Sequence, residues 1–160
     1  MPLLAPIPLR ISFRGLPTMT YFPKRTVLVP VDFSPESLAA IDVGLQLVDD
    51  PAHLHIVHVM IDITPLEAGE VWGVIDPQAR VGQIEKLLKE KLTDDKYQGL
   101  QIAVVLGEPA HGIANYAQEK HAELIVIPSH GRTGITRLLI GSVAERVVRL
   151  AHCPVLVLRT

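Results

Sequence analysis

Hydrophobic and polar positions follow two rhythms along this chain. Thr26–Val31 (TVLVPV) is a β-branched apolar run without polar alternation, the pattern of a strand covered on both faces. It breaks at DFSPES, where Ser34 suits a helix N-cap and Pro35 the first helical position. Leu38, Ile41, Leu45 and Val48 then recur at helical spacing, which predicts a helix to about Val48. His53–Met60 (HLHIVHVM) reads as a second strand. After a long loop, Asp76-Pro77 opens a second helix with Val81, Ile84, Leu88 and Leu92 on one face. Leu100–Leu106 is a third strand, ended by Gly107, and a third helix enters at Pro109. Leu124–Ile127 is a fourth strand, GSVAERVVRLA a fourth helix, and Pro154–Leu158 a fifth strand.

Strict β/α alternation with continuous apolar strands predicts an α/β fold: one doubly wound, five-stranded parallel sheet, Rossmann-like, with helices on both faces. No internal repeat or linker interrupts it, so residues 24–160 are expected to form a single domain. Residues 1–23 are expected to be a flexible N-terminal extension. Their apolar part is short and broken by Pro2, Pro6, Pro8 and Arg10, which argues against a secretory signal.

Composition narrows the function classes. Fifteen Lys and Arg against seventeen Asp and Glu give a formal charge of -2, not the basic field of a nucleic-acid binder. No apolar run reaches the ~18–20 residues needed to span a bilayer. Cys153 is the single cysteine, so no intramolecular disulfide can form and a cytoplasmic address is the default.

In open parallel sheets, ligands bind beyond the carboxyl ends of the strands, where the strand order reverses. The loop after the fourth strand, SHGRTGITRLLIGS, is the richest of these places. Gly131 and Gly134 allow close backbone approach, and the helix start at Gly141-Ser142 offers unpaired N–H groups and its dipole. Ser142 adds a hydroxyl, and Arg132 and Arg137 add positive charge. Together these make an anion site, most plausibly for phosphate.

That segment resembles the glycine-rich loop of the universal stress protein family. There a glycine, two residues, a second glycine, nine residues, and a glycine followed by Ser or Thr bind nucleotide. Gly131 takes the second glycine, Arg132–Ile140 the nine residues, and Gly141-Ser142 the end. TVLVPVDFSPES, IVHVMID and GSVAERVVRLAHCPVLVLR are similar to the family's opening, second strand and ending, so the resemblance spans roughly Lys24 to Arg159. It implies ATP as ligand, with or without Mg, at a site of Asp32, Val59, Gly131, Arg132, Gly141, Ser142 and Val143. Asp32 would accept hydrogen bonds from the ribose or base edge, and Val59 would meet adenine through its backbone. Gly131, Gly141, Ser142 and Val143 would supply amides and a hydroxyl to ribose and phosphates. A stress-response module acting as a homodimer, paired through the C-terminal strand, is implied as well.

One position departs: the family's first glycine falls on Pro128, which has no N–H and a fixed φ. The alternative is therefore an interaction protein that binds no nucleotide. Other residues have plainer readings. The plainer reading of Asp32 is a cap on the turn into the first helix. His53 and His55 share a strand face that His58 does not, so the three cannot converge on a metal unaided. His130 is read as solvated, Cys153 as a small core residue, and Trp72 as packing or lining a pocket mouth. The phosphate-loop pattern GxxxxGK[ST] is missing, and no GxGxxG follows the first strand. Without a nucleophile–base pair, no catalytic residue is assigned, and at most slow ATP hydrolysis is expected.

Overall fold

The computed structural model describes residues 21–61, 77–130 and 141–159. Five strands, β1 (Val27–Pro30), β2 (Leu54–Met60), β3 (Gln101–Leu106), β4 (Leu124–Pro128) and β5 (Val155–Leu158), form one parallel sheet in the order β3-β2-β1-β4-β5. Between them run α1 (Pro35–Leu45), α2 (Pro77–Lys91), α3 (Pro109–Glu119) and α4 (Ser142–Leu150). The chain winds outward from β1 through β2 to β3, then returns to lay β4 and β5 on the other side. The expected α/β architecture is present.

Because side chains alternate across a strand, each apolar run feeds two cores. Val27, Val29, Leu54, Ile56, Leu124 and Val126 pack with Ala40 and Ile41 of α1. Leu28, Val57 and Ile125 face the other way, onto Ile113 and Ala117 of α3 and Val147 of α4. Each buried Val, Leu or Ile among them contributes about 1.5–3 kcal/mol. α2 lies against β3, with Leu88 fully buried.

Element ends moved where tertiary contacts compete. α1 stops at Leu45, not near Val48. The Gln46 and Leu47 amides fold back onto Val43 and Gly44 carbonyls, while Lys24 donates to the Leu47 carbonyl at 2.9 Å and bridges to Val48. Val48 is thereby drawn out of the helix. His53 likewise belongs to a short 3-10 turn, Pro51–His53, and β2 begins at Leu54.

The seam between β1 and β4 is short for a chemical reason. Their register covers only Val27↔Leu124 and Leu28↔Ile125. Val31 N–H donates to Val57 O at 2.8 Å, so odd-numbered β1 residues turn their main-chain groups to β2 and Pro30 turns to β4. Ser129 N–H donates to Leu158 O at 2.7 Å, so the neighbouring Pro128 nitrogen faces β1. The next two ladder bonds would need N–H groups from Pro30 and Pro128, and proline has none. The strands part there, opening a crevice at the point where strand order reverses.

Candidate functional site

A cavity of about 400 Å³ fills that crevice, within the size range of small-molecule sites. Pro30, Val31 and Asp32 bound it from β1, His58 and Val59 from β2, and Pro128 to His130 from β4. The opening residues of α4, Gly141 to Ala144, close the far side, and Pro109 at the start of α3 completes the rim.

Asp32 follows β1 directly and lines the cavity. Its Oδ1 accepts the Ser34 N–H at 3.0 Å and the Ser34 hydroxyl, while its own N–H donates to Ser37 Oγ at 3.3 Å. The helix cap proper is Ser34, whose hydroxyl accepts the Ser37 N–H at 3.2 Å. Both readings of Asp32 thus meet in one residue: it shapes the turn and it borders the cavity. Phe33, between them, adopts φ 68°, which is uncommon for a bulky side chain.

The helix N-termini divide sharply. Ser34 caps α1, and the two 3-10 turns are capped by Asp50 and Asp94. Glu108 caps α3 through Oε2, which accepts the His111 N–H at 3.0 Å. That bond, ahead of the other contacts, holds the Glu108 carboxyl below its usual range, and Oε1 pairs with Arg146 Nη1 of α4 at 2.8 Å. α4 is preceded by Gly141 and has no side-chain cap. Its first amides, at Ser142, Val143 and Ala144, have no partner within the helix, and these residues line the cavity. An acidic ligand is the natural partner for such an end.

Gly141 has a different role from the amide donor expected. Its N–H donates to Ser129 O at 2.6 Å, so it joins α4 to the end of β4 instead of offering a donor to the cavity. A side chain there would place its Cβ 2.9 Å from that oxygen, which explains the glycine by close approach. Val59 stands in the wall of the cavity. Met60 O accepts from Gly107 on the β3 side, so alternation turns the Val59 N–H and C=O toward β1, past its end.

His130 is not solvated as expected. Its Nδ1 pairs with Ser129 Oγ at 3.0 Å, and its Nε2 is buried without a partner among the described residues. Ser129 and His58 border the cavity without having been singled out as nucleotide-site residues. Neither follows a residue-type pattern; only strand register places them there. Gly131, Arg132, Gly134, Arg137 and Trp72 lie outside the described residues.

Among the described residues, no three His, Cys, Asp or Glu side chains are placed to hold a metal. His53 pairs with Asp49 at 2.8 Å, His55 approaches the Tyr116 hydroxyl at 3.3 Å, and His58 bonds the Val31 carbonyl. Cys153 is half-buried against the α3–α4 core, and burial pushes its thiol upward. No described helix is long and apolar enough to cross a membrane.

The family model of the universal stress proteins matches residues 24–159. A universal stress protein of Methanocaldococcus jannaschii is 34% identical over 140 residues, covering 84% of this chain and 82% of its own. The structure of a universal stress protein from Lactobacillus plantarum superposes with a TM-score of 0.65 at 26% identity, over 85% of this chain and 99% of that one. A universal stress protein in complex with cAMP gives 0.59 at 26% identity, over 86% and 98%. Nearly the whole described chain is accounted for by these matches, and it belongs to the universal stress protein family.

Proposed function

We propose that this protein is an adenine-nucleotide-binding regulatory module, with ATP as its ligand in the cavity between β1 and β4. The observation that carries this reading is the uncapped N-terminus of α4 opening onto a cavity that Asp32 borders from the opposite strand. The Ser142 and Val143 amides and the Ser142 hydroxyl would hold phosphate oxygens, with Gly131 and Arg132 contributing from the loop. Asp32 would accept from the ribose or the base edge, and Val59 would meet adenine with its main chain. A relative with the same fold in complex with cAMP, another adenine nucleotide, supports the ligand class.

Pro128 does not weigh against this. Its nitrogen faces β1, so its missing N–H removes a sheet bond and is not one of the α4 donors. Binding rather than turnover is the proposed activity. Asp32 is the one carboxylate among the described cavity residues, and Ser34 already holds its Oδ1.

The module is proposed to be cytoplasmic and to pair as a homodimer through β5. Among the described residues that strand's only sheet neighbour is β4, and Leu156 on it is exposed, as are Val148 and Leu150 of α4. Calorimetric titration with ATP, with and without Mg, tests the central claim. Saturable heat that Asp32→Ala reduces at least roughly tenfold in affinity supports it, and no heat up to about millimolar ATP ends it.

A further inference from the structure

In a parallel ladder, a residue whose main-chain groups face its neighbour donates to one carbonyl there and accepts from the amide two residues further on. Val31 obeys the first half: its N–H donates to Val57 O at 2.8 Å. The second half would be Val59 N–H to Val31 O, and it is not made. The β1–β2 register ends at Pro30↔Val57. The Val31 carbonyl instead accepts the Nδ1–H of His58 at 2.7 Å.

The substitute donor is held in place from two sides. His58 sits on β2 between Val57 and Val59, opposite Val104 of β3. Its ring lies against Phe33, with centroids 5.0 Å apart. Phe33 reaches that position through its left-handed backbone, φ 68°. Since a carbonyl only accepts, Nδ1 carries the proton, and either the neutral ring or the imidazolium can make this bond.

The consequence falls on Val59. Deprived of the Val31 carbonyl, its N–H and C=O remain side by side, aimed past the end of β1, and Val59 lines the cavity there. An adjacent donor and acceptor complement the base-pairing edge of adenine, where N1 accepts beside the N6 amino donor. Hypoxanthine reverses that order, with N1–H donating and O6 accepting. We infer that His58 is the specificity-determining residue of this site: by occupying the Val31 carbonyl it keeps the Val59 main-chain pair open for adenine. This deepens the nucleotide reading and rests on it for its ligand.

The test uses the full chain, two variants and two readouts. His58→Phe keeps a ring against Phe33 and removes the donor; His58→Gln keeps a donor on a different side chain. Amide hydrogen exchange without ligand reads the Val59 N–H directly. Fast exchange in the native chain, with clear protection in His58→Phe and fast exchange again in His58→Gln, is expected; a Val59 amide already protected in the native chain overturns the inference. Titration with ATP and ITP reads specificity. The native preference for ATP is expected to fall about tenfold in His58→Phe, the scale of one well-made hydrogen bond, and to be largely retained in His58→Gln. An unchanged ATP-to-ITP ratio in His58→Phe overturns it too. If neither nucleotide binds the native chain, both the nucleotide reading and the adenine assignment fall, while the exchange data still decide whether His58 releases the Val59 amide.

Discussion

The N–H of Gly141 donates to the carbonyl oxygen of Ser129 at 2.6 Å, and a Cβ at Gly141 would come within 2.9 Å of that oxygen. One short bond thus fixes where α4 starts relative to the end of β4, and with it the donors facing the cavity. The obstructing atom is backbone, which cannot swing aside as a side chain tip would. Gly141→Ala is expected to cost about 1–3 kcal/mol of stability and to weaken ATP by at least roughly tenfold. Urea unfolding and calorimetry check the two effects. An alanine variant of native stability and affinity would show that α4 tolerates a shifted start.

Pro128 occupies the position of the family's first loop glycine, and its nitrogen faces β1. Pro128→Gly is therefore expected to change ATP affinity by less than about threefold. A gain of tenfold or more would mean that the pyrrolidine ring itself, which lines the cavity, obstructs the ligand. The same calorimetric titration decides between them.

The fold was legible because parallel strands buried on both faces are continuous apolar runs, and each was bounded by a turn or capping residue. Ser34-Pro35 and Gly141-Ser142 marked helix starts within a residue. What escaped depended on partners distant in sequence. Val48 fits the helical spacing of α1, but Lys24 draws the chain into a bridge. Gly141 looks like an amide donor from the sequence because nothing local reveals that Ser129 O takes its N–H. Whether a histidine in a strand is a ligand, a core residue or a cap depends on register, and His58 acquires its role only where β1 ends before β2.

His55 offers a test of the opposite core. It projects from β2 toward Tyr116 of α3, with ring centroids 6.1 Å apart. Burial first, and the Lys120 charge second, lower its pKa below 6.5. The unfolded chain therefore takes up this proton before the folded one as pH falls. The contribution of His55 to stability is complete above about pH 6.5 and is lost progressively as pH drops toward the lower folded-state value. Thermal unfolding between about pH 7.5 and pH 5 should show a smaller fall in Tm for His55→Gln than for the native chain. Equal falls would place the acid sensitivity elsewhere.

Ser142 separates helix stability from ligand affinity, because the two should move in opposite directions. The uncapped end of α4 carries the partial positive charge of the helix dipole, and Ser142 is its first residue. A carboxylate at that position would complement the dipole, so Ser142→Asp is expected to raise stability by about 0.3–1 kcal/mol. The same charge would repel phosphate and compete for the Val143 and Ala144 amides, lowering ATP affinity by at least roughly tenfold. Denaturant unfolding and calorimetry on one preparation measure both. A general structural defect would lower stability and affinity together. A more stable protein that binds ATP as well as before would place the phosphates away from this helix end.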